Sequence, residues 1–176
     1  MMRWGLVPAA HPEDEPPAGD AFVASDELDT LETYRSAWLH GQRCIVPLAG
    51  FYLWQRAAAG HRQPFYVRLV NRTVFGVAAV WDRFVAKQED DVIEGCALVT
   101  VPANRLLAEL DPTSARMPAI LARDGYESWL RGRPGEVKEL LRSYPAERMV
   151  SHAVGPFVNF LQYDDVALIR PISRKG

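Results

Sequence analysis

The stretch RCIVPLAGFYLW, Arg43 to Trp54, decides how the chain is read. Cys44 to Val46 is an apolar run suited to a buried strand, and Pro47, with no amide hydrogen for a ladder, is expected to end it. Gly50 then permits a tight bend, and three rings follow at once, Phe51, Tyr52 and Trp54. Rings of that size beyond a strand end either close a core or line a concave surface on which flat ligands stack. The residues alone leave both readings open.

Upstream, Arg3 to Pro8 reads as a short strand running into a turn, and His11 to Pro17, acidic and rich in proline, as a surface loop. Ser25 or Asp26 is placed to cap a helix that carries Leu28, Leu31 and Trp38 on one face and ends near Gly41. Downstream, Phe65 to Val70 and Thr73 to Val80 read as a hairpin about Asn71-Arg72, Lys87 to Asp91 as a charged loop, and Val92 to Val101 as a further strand. Ala103 to Leu110 is expected to be a short helix behind Asn104, stopped at Asp111-Pro112. Asp124 and Glu127 are spaced as a capping box, Gly135 to Ser143 is amphipathic, and Val166 to Ile172 reads as a last strand. Cys44, Ile45, Val46, Val77, Val80, Val99 and Ile120 are the expected core. The pattern implies an α+β fold: one domain over residues 1–176, with a curled, largely antiparallel, barrel-like sheet and flanking helices.

A chain of 176 residues can bury a sizeable core, and its net charge of -2 argues against coating nucleic acid by bulk charge while allowing a local basic groove. Cys44 and Cys96 sit in apolar runs and read as reduced buried thiols, in keeping with a cytoplasmic protein. No apolar run reaches the length of a membrane span, and His11, His40, His61 and His152 have no ligand spacing, so neither membrane, metal nor cofactor is expected.

Four pieces in order resemble a known family. They are Trp4-Gly5-Leu6-Val7-Pro8, the Arg43–Trp54 segment, Arg116-Met117-Pro118-Ala119-Ile120-Leu121 and Val150-Ser151-His152-Ala153-Val154. Together they resemble the SRAP family, the SOS-response-associated peptidases or abasic-site processing proteins. The resemblance implies capture of the ring-opened aldehyde of an abasic site in single-stranded DNA by a cysteine following the initiator methionine. An amine and a thiol on one carbon skeleton trap an aldehyde without translational loss. An asparagine, a glutamate and a histidine assist.

Each of those positions departs from the family pattern. Residue 2 is Met, and the chain as given starts at the Trp-Gly-Leu piece, without the strands expected before it. The asparagine falls on Val23 and the arginine of the same run on Ser25. The glutamate falls on Leu53, and the histidine on Ser114. Leucine can neither take nor give a proton. Asp26 and Glu27 are the carboxylates that could substitute, or they simply sit in the first turn of a helix, where the dipole favours them.

The binding half of the family pattern is retained. The resemblance puts Trp4, Arg35 (with Tyr34 beside it), Trp54 and Arg116 at or near a DNA groove, and aromatics with interleaved arginines suit single strands. The leading expectation is therefore a degenerate family member of the DNA-damage (SOS) response, a pseudoenzyme that binds single-stranded or junction DNA without a catalytic residue. The alternatives are an active crosslinking enzyme whose true start lies upstream, and a vestigial or interaction module that no longer touches DNA; a protein partner or a second copy is expected, if anywhere, at an uncovered sheet edge.

Overall fold

A computed structural model describes residues 2–9, 19–56, 62–85, 92–113 and 115–172. The expected loops at His11 to Pro17 and Lys87 to Asp91, His61 and Ser114 lie outside them. The chain divides into two compact units, and both are mixed α+β.

The first unit comprises Met1–Pro47, Gly76–Pro102 and Arg116–Ser143. Its strands are β1 (Arg3–Trp4), β2 (Phe22–Ala24), β3 (Arg43–Leu48), β6 (Phe75–Val85), β7 (Val92–Pro102) and β8 (Arg116–Pro118). β7 is the axis of this sheet. It runs antiparallel to β6 and β8 and takes β1 and β2 in parallel along its other side. β7 is buried on both faces through its middle, Gly95 to Val99, and Ala97, Val99 and Val101 on one face are fully buried. Against the core pack α1 (Glu32–Leu39), α3 (Tyr126–Arg131) and α4 (Pro134–Val137), contributing Ala37, Trp38, Trp129 and Val137.

One charge is buried among them. Arg43 is 6% exposed, with its guanidinium 5.5 Å from the Trp38 ring and 5.6 Å from the Trp129 ring. It donates to the carbonyls of Trp129 (2.6 Å) and Gly132, while the Trp129 indole donates to the Cys44 carbonyl at 2.8 Å. Burial pulls the Arg43 pKa down. Opposite-signed Asp82 is also buried and accepts from Gln42, Ala9 N–H and Arg83 N–H.

The second unit comprises Leu48–Phe75, Ala103–Ala115 and Tyr144–Gly176. β4 (Phe51–Arg56), β5 (Arg62–Leu69) and β9 (Met149–Ala153) form an antiparallel sheet in the order β4-β5-β9. α2 (Arg105–Leu110) lies against β4 and adds Leu107 and Leu110 to a core with Val67, Leu69 and Met149. Asn104 caps α2 as expected, accepting from Leu107 N–H at 3.1 Å and donating to the Tyr144 carbonyl at 2.7 Å.

Several expectations are corrected. β3 runs through Pro47, and the aromatic trio is itself a strand. Phe65–Val70 and Thr73–Val80 are not a hairpin: β5 pairs with β4 and β9, whereas β6 pairs with β7. The apolar alternation of two strands says nothing of which strand each one pairs with. α1 starts at Glu32 rather than near Ser25, because residues 25–30 form turns, and Leu31 is exposed. Asp124 caps nothing, residues 138–140 tighten into a 3-10 turn, and Val166–Ile169 is a 3-10 turn with Pro171 bridging Val154. Of the expected core, Val77, Val80, Val99 and Ile120 are buried, while Cys44, Ile45 and Val46 are half-buried.

Among the described residues no helix is long and apolar enough to cross a membrane, and no group of three or more His, Cys, Asp or Glu is arranged to hold a metal.

Candidate nucleic-acid interface

In the first unit the register about β7 decides which side chains share a face. Trp4 pairs with Cys96, Phe22 with Leu98, Ala24 with Thr100, and Arg116 with Pro102. Paired residues in register point the same way, and even-numbered positions of β7 point away from its fully buried face. Trp4, Phe22 and Arg116 therefore share one face, here the outer face because it lies opposite Ala97, Val99 and Val101, although Cys96 and Leu98 of β7 on it are themselves buried. The two rings are 57% and 60% exposed. Phe22 was missed in the sequence, although Phe22-Val23-Ala24, with a small residue beside a large ring, carries the out-in-out alternation that would have found it.

Arg116 is held in place. Its Nε donates to Thr100 Oγ1 at 2.9 Å, and its terminal nitrogen donates to the Thr100 carbonyl (2.8 Å) and Asp26 Oδ1 (3.0 Å), with Ser25 Oγ at 3.5 Å. About a third of the side chain remains accessible. Asp26 thus serves as a partner to Arg116, and Glu27 accepts weakly from Ala24 N–H. Neither lies in the first turn of a helix.

Val23, at the family's asparagine position, is 2% exposed and faces the core opposite Val99. Tyr34 is 3% exposed, so its ring offers no face to a base and packs instead; burial, with Asp20 and Glu27 adding to it, pushes its pKa up to about 12. Arg35, its neighbour on α1, is exposed and forms no ion pair among the described residues.

Trp54 belongs to the second unit, on β4. Cross-strand register stacks a ladder there: Tyr52 on β4 faces Tyr66 on β5, which faces His152 on β9. Ring centroids are 5.4 Å apart for the tyrosines and 5.8 Å for Tyr66 and His152, with Trp54 6.3 Å from Tyr52. The Trp54 indole donates to Asn159 Oδ1 at 2.8 Å, and His152 Nε2 bonds the Ile169 carbonyl at 2.8 Å. Gly50 is required because a Cβ there would fall 2.3 Å from the Tyr66 ring. Burial raises the pKa of both tyrosines. Leu53, at the family's glutamate position, lies between Tyr52 and Trp54 and so points to the opposite face of β4, paired with Phe65.

Comparison with known proteins gives a consistent answer. A family model, SOS response associated peptidase (SRAP), matches residues 1–161. The abasic site processing protein HMCES of Gallus gallus is 27% identical, over 97% of this chain and 56% of that protein. The abasic site processing protein YoqW of Bacillus subtilis is 26% identical, over 90% of this chain and 70% of its own. The chain therefore spans little more than half of the chicken protein. Among solved structures, a protein from Bacteroides thetaiotaomicron superposes with a TM-score of 0.87 at 26% identity, covering 98% of this chain and 76% of the other. One from Bordetella bronchiseptica gives 0.77 at 27%, over 88% and 76%. The likeness upholds the expected fold class, mixed α+β with a curled sheet.

Proposed function

The chain belongs to the SOS response associated peptidase (SRAP) family, and from that premise we propose that it acts in handling damaged DNA as a non-covalent binder of single-stranded or junction DNA. The observation that carries the reading is the outer face of the β7 sheet. Trp4 and Phe22 stand there exposed beside a restrained Arg116, while the neighbouring family position for asparagine is a core valine. More than half of each ring's residue is open to solvent, and single-strand binding uses such rings at ~1–3 kcal/mol per stacked base. Arg35 and Arg116 supply phosphate contacts. Leu53 can neither take nor give a proton where the family has a glutamate, and Val23 offers no polar group where it has an asparagine. Relatives named for abasic-site processing support DNA as the ligand class.

The test is fluorescence anisotropy with a single-stranded oligonucleotide. With about two phosphates neutralised at a slope of ~0.7 each, a fourfold rise in salt should weaken binding about sevenfold. Trp4→Ala with Phe22→Ala should weaken it further at every salt concentration. Binding that ignores both perturbations would remove this face as the interface.

A second reading has its own observation. Phe157, Phe160, Leu161, Tyr163, Val166 and Ile169 are all exposed within one short segment of the second unit. An apolar cluster of that kind fits a protein contact better than a phosphate backbone.

A further inference from the structure

The second unit contains a cleft that the DNA reading does not use. It measures 330 Å³ and is lined by Leu69, Val70, Asn71, Arg72, Tyr144 and Arg148. That volume is within the range of small-molecule sites. Its floor is fixed: Leu69 pairs with Met149, and Val70 N–H donates to the Arg148 carbonyl at 3.0 Å, so the bend carrying Asn71 and Arg72 is clamped to the 3-10 turn Ala146–Arg148. The Tyr144 backbone is in turn held by the Asn104 side chain at 2.7 Å.

What lines this fixed cleft is chemically specific. Arg72 and Arg148 both line it, and neither side chain forms an ion pair or a hydrogen bond among the described residues. The Asn71 amide and the Tyr144 hydroxyl are likewise unengaged among them. Glu147 lies next to Arg148 in sequence but is not within ion-pair distance of it. Two planar cations with five donors each match the oxygens of a phosphate monoester, and half-buried Tyr144, lining the cleft with Leu69 and Val70, adds a flat ring.

We propose that this cleft binds a nucleoside monophosphate, its phosphate between Arg72 and Arg148 and its base against Tyr144. The ligand is either a free nucleotide or the phosphorylated end of a strand, which share this chemistry. The site does not depend on the outer face of the β7 sheet, and failure of either leaves the other standing.

The experiment is titration calorimetry of the full chain with dAMP, inorganic phosphate and deoxyadenosine. Saturable binding of dAMP is expected, with phosphate weaker and deoxyadenosine undetectable. Arg72→Ala and Arg148→Ala should each weaken dAMP binding about tenfold or more, as loss of a charge-assisted contact does, with Arg148→Lys recovering part of it. Both arginines are exposed, so thermal melts of the variants should match the parent. A strand with a 5′-phosphate binding more tightly than its 5′-hydroxyl counterpart, only while Arg72 and Arg148 are intact, would identify a strand end as the source. Equal binding of the two strands beside good binding of dAMP would identify the free nucleotide. No binding of dAMP, binding equal to that of deoxyadenosine, or binding indifferent to both arginine variants overturns the proposal.

Discussion

Replacing Arg43 by alanine should be among the most damaging single changes in the first unit. The guanidinium donates to two carbonyls, of Trp129 and Gly132, and lies over two indole rings. Each carbonyl left without a donor costs ~1–3 kcal/mol, and each cation–π contact ~0.5–2 kcal/mol. Against this stands the desolvation relieved when a buried charge is removed, including that of Arg43 Nη1, which is buried without a hydrogen-bond partner among the described residues. These terms are not additive, and the net expectation is a loss of about 3–5 kcal/mol. Arg43→Met keeps the aliphatic stem between the rings and restores apolar burial, so it should lose about half as much. Urea denaturation followed by tryptophan emission is suited to the test, since Trp38 and Trp129 flank the site 6.0 Å apart. A loss below about 1 kcal/mol for Arg43→Ala, or a methionine variant more stable than the parent, would refute this account of the pocket.

Three other outcomes are expected. Gly50→Ala drives a methyl into the Tyr66 ring and should cost about 1–3 kcal/mol in a urea melt while perturbing the tyrosine near-ultraviolet signal. Asn104→Ala removes both the α2 cap and the bond to the Tyr144 carbonyl, and a thermal melt should record a loss of about 1–2 kcal/mol. Burial pushes the Cys44 thiol up to about 12 and the Tyr34 hydroxyl to about 12, so folding favours their protonated forms. Their stabilisation is complete below the unfolded values of 9.0 and 10.0 and is lost as pH climbs from there through the folded ones. Stability profiles that are flat across that alkaline window in the parent would contradict this assignment.

The sequence was most informative where local chemistry fixes local structure. Asn104 is a cap because its side chain serves the turn that follows it, and the apolar run Val92 to Val101 is the strand it was read as, buried through its middle. It was least informative about pairing. Thr73 to Val80 looks the same whether it pairs with the strand before it or with the one after. The parallel attachment of β1 and β2 to β7, which sets Phe22 beside Trp4, involves residues more than seventy positions apart. Tyr34 failed as a surface residue for a related reason. It is the immediate neighbour of exposed Arg35, but it lies four residues before Trp38 on α1 and so shares that residue's buried face. The Tyr52–Tyr66–His152 ladder needs the registers of three strands and so could not be read from the aromatic trio alone.

Binding without covalent capture is decided by incubation with single-stranded DNA carrying an abasic site, with native and denaturing gels run in parallel beside an intact-strand control. A salt-sensitive shift on the native gel is expected for both strands, with no shifted band after heating in denaturant. A heat-stable band specific to the abasic strand would contradict it, as would the absence of any native shift at low salt.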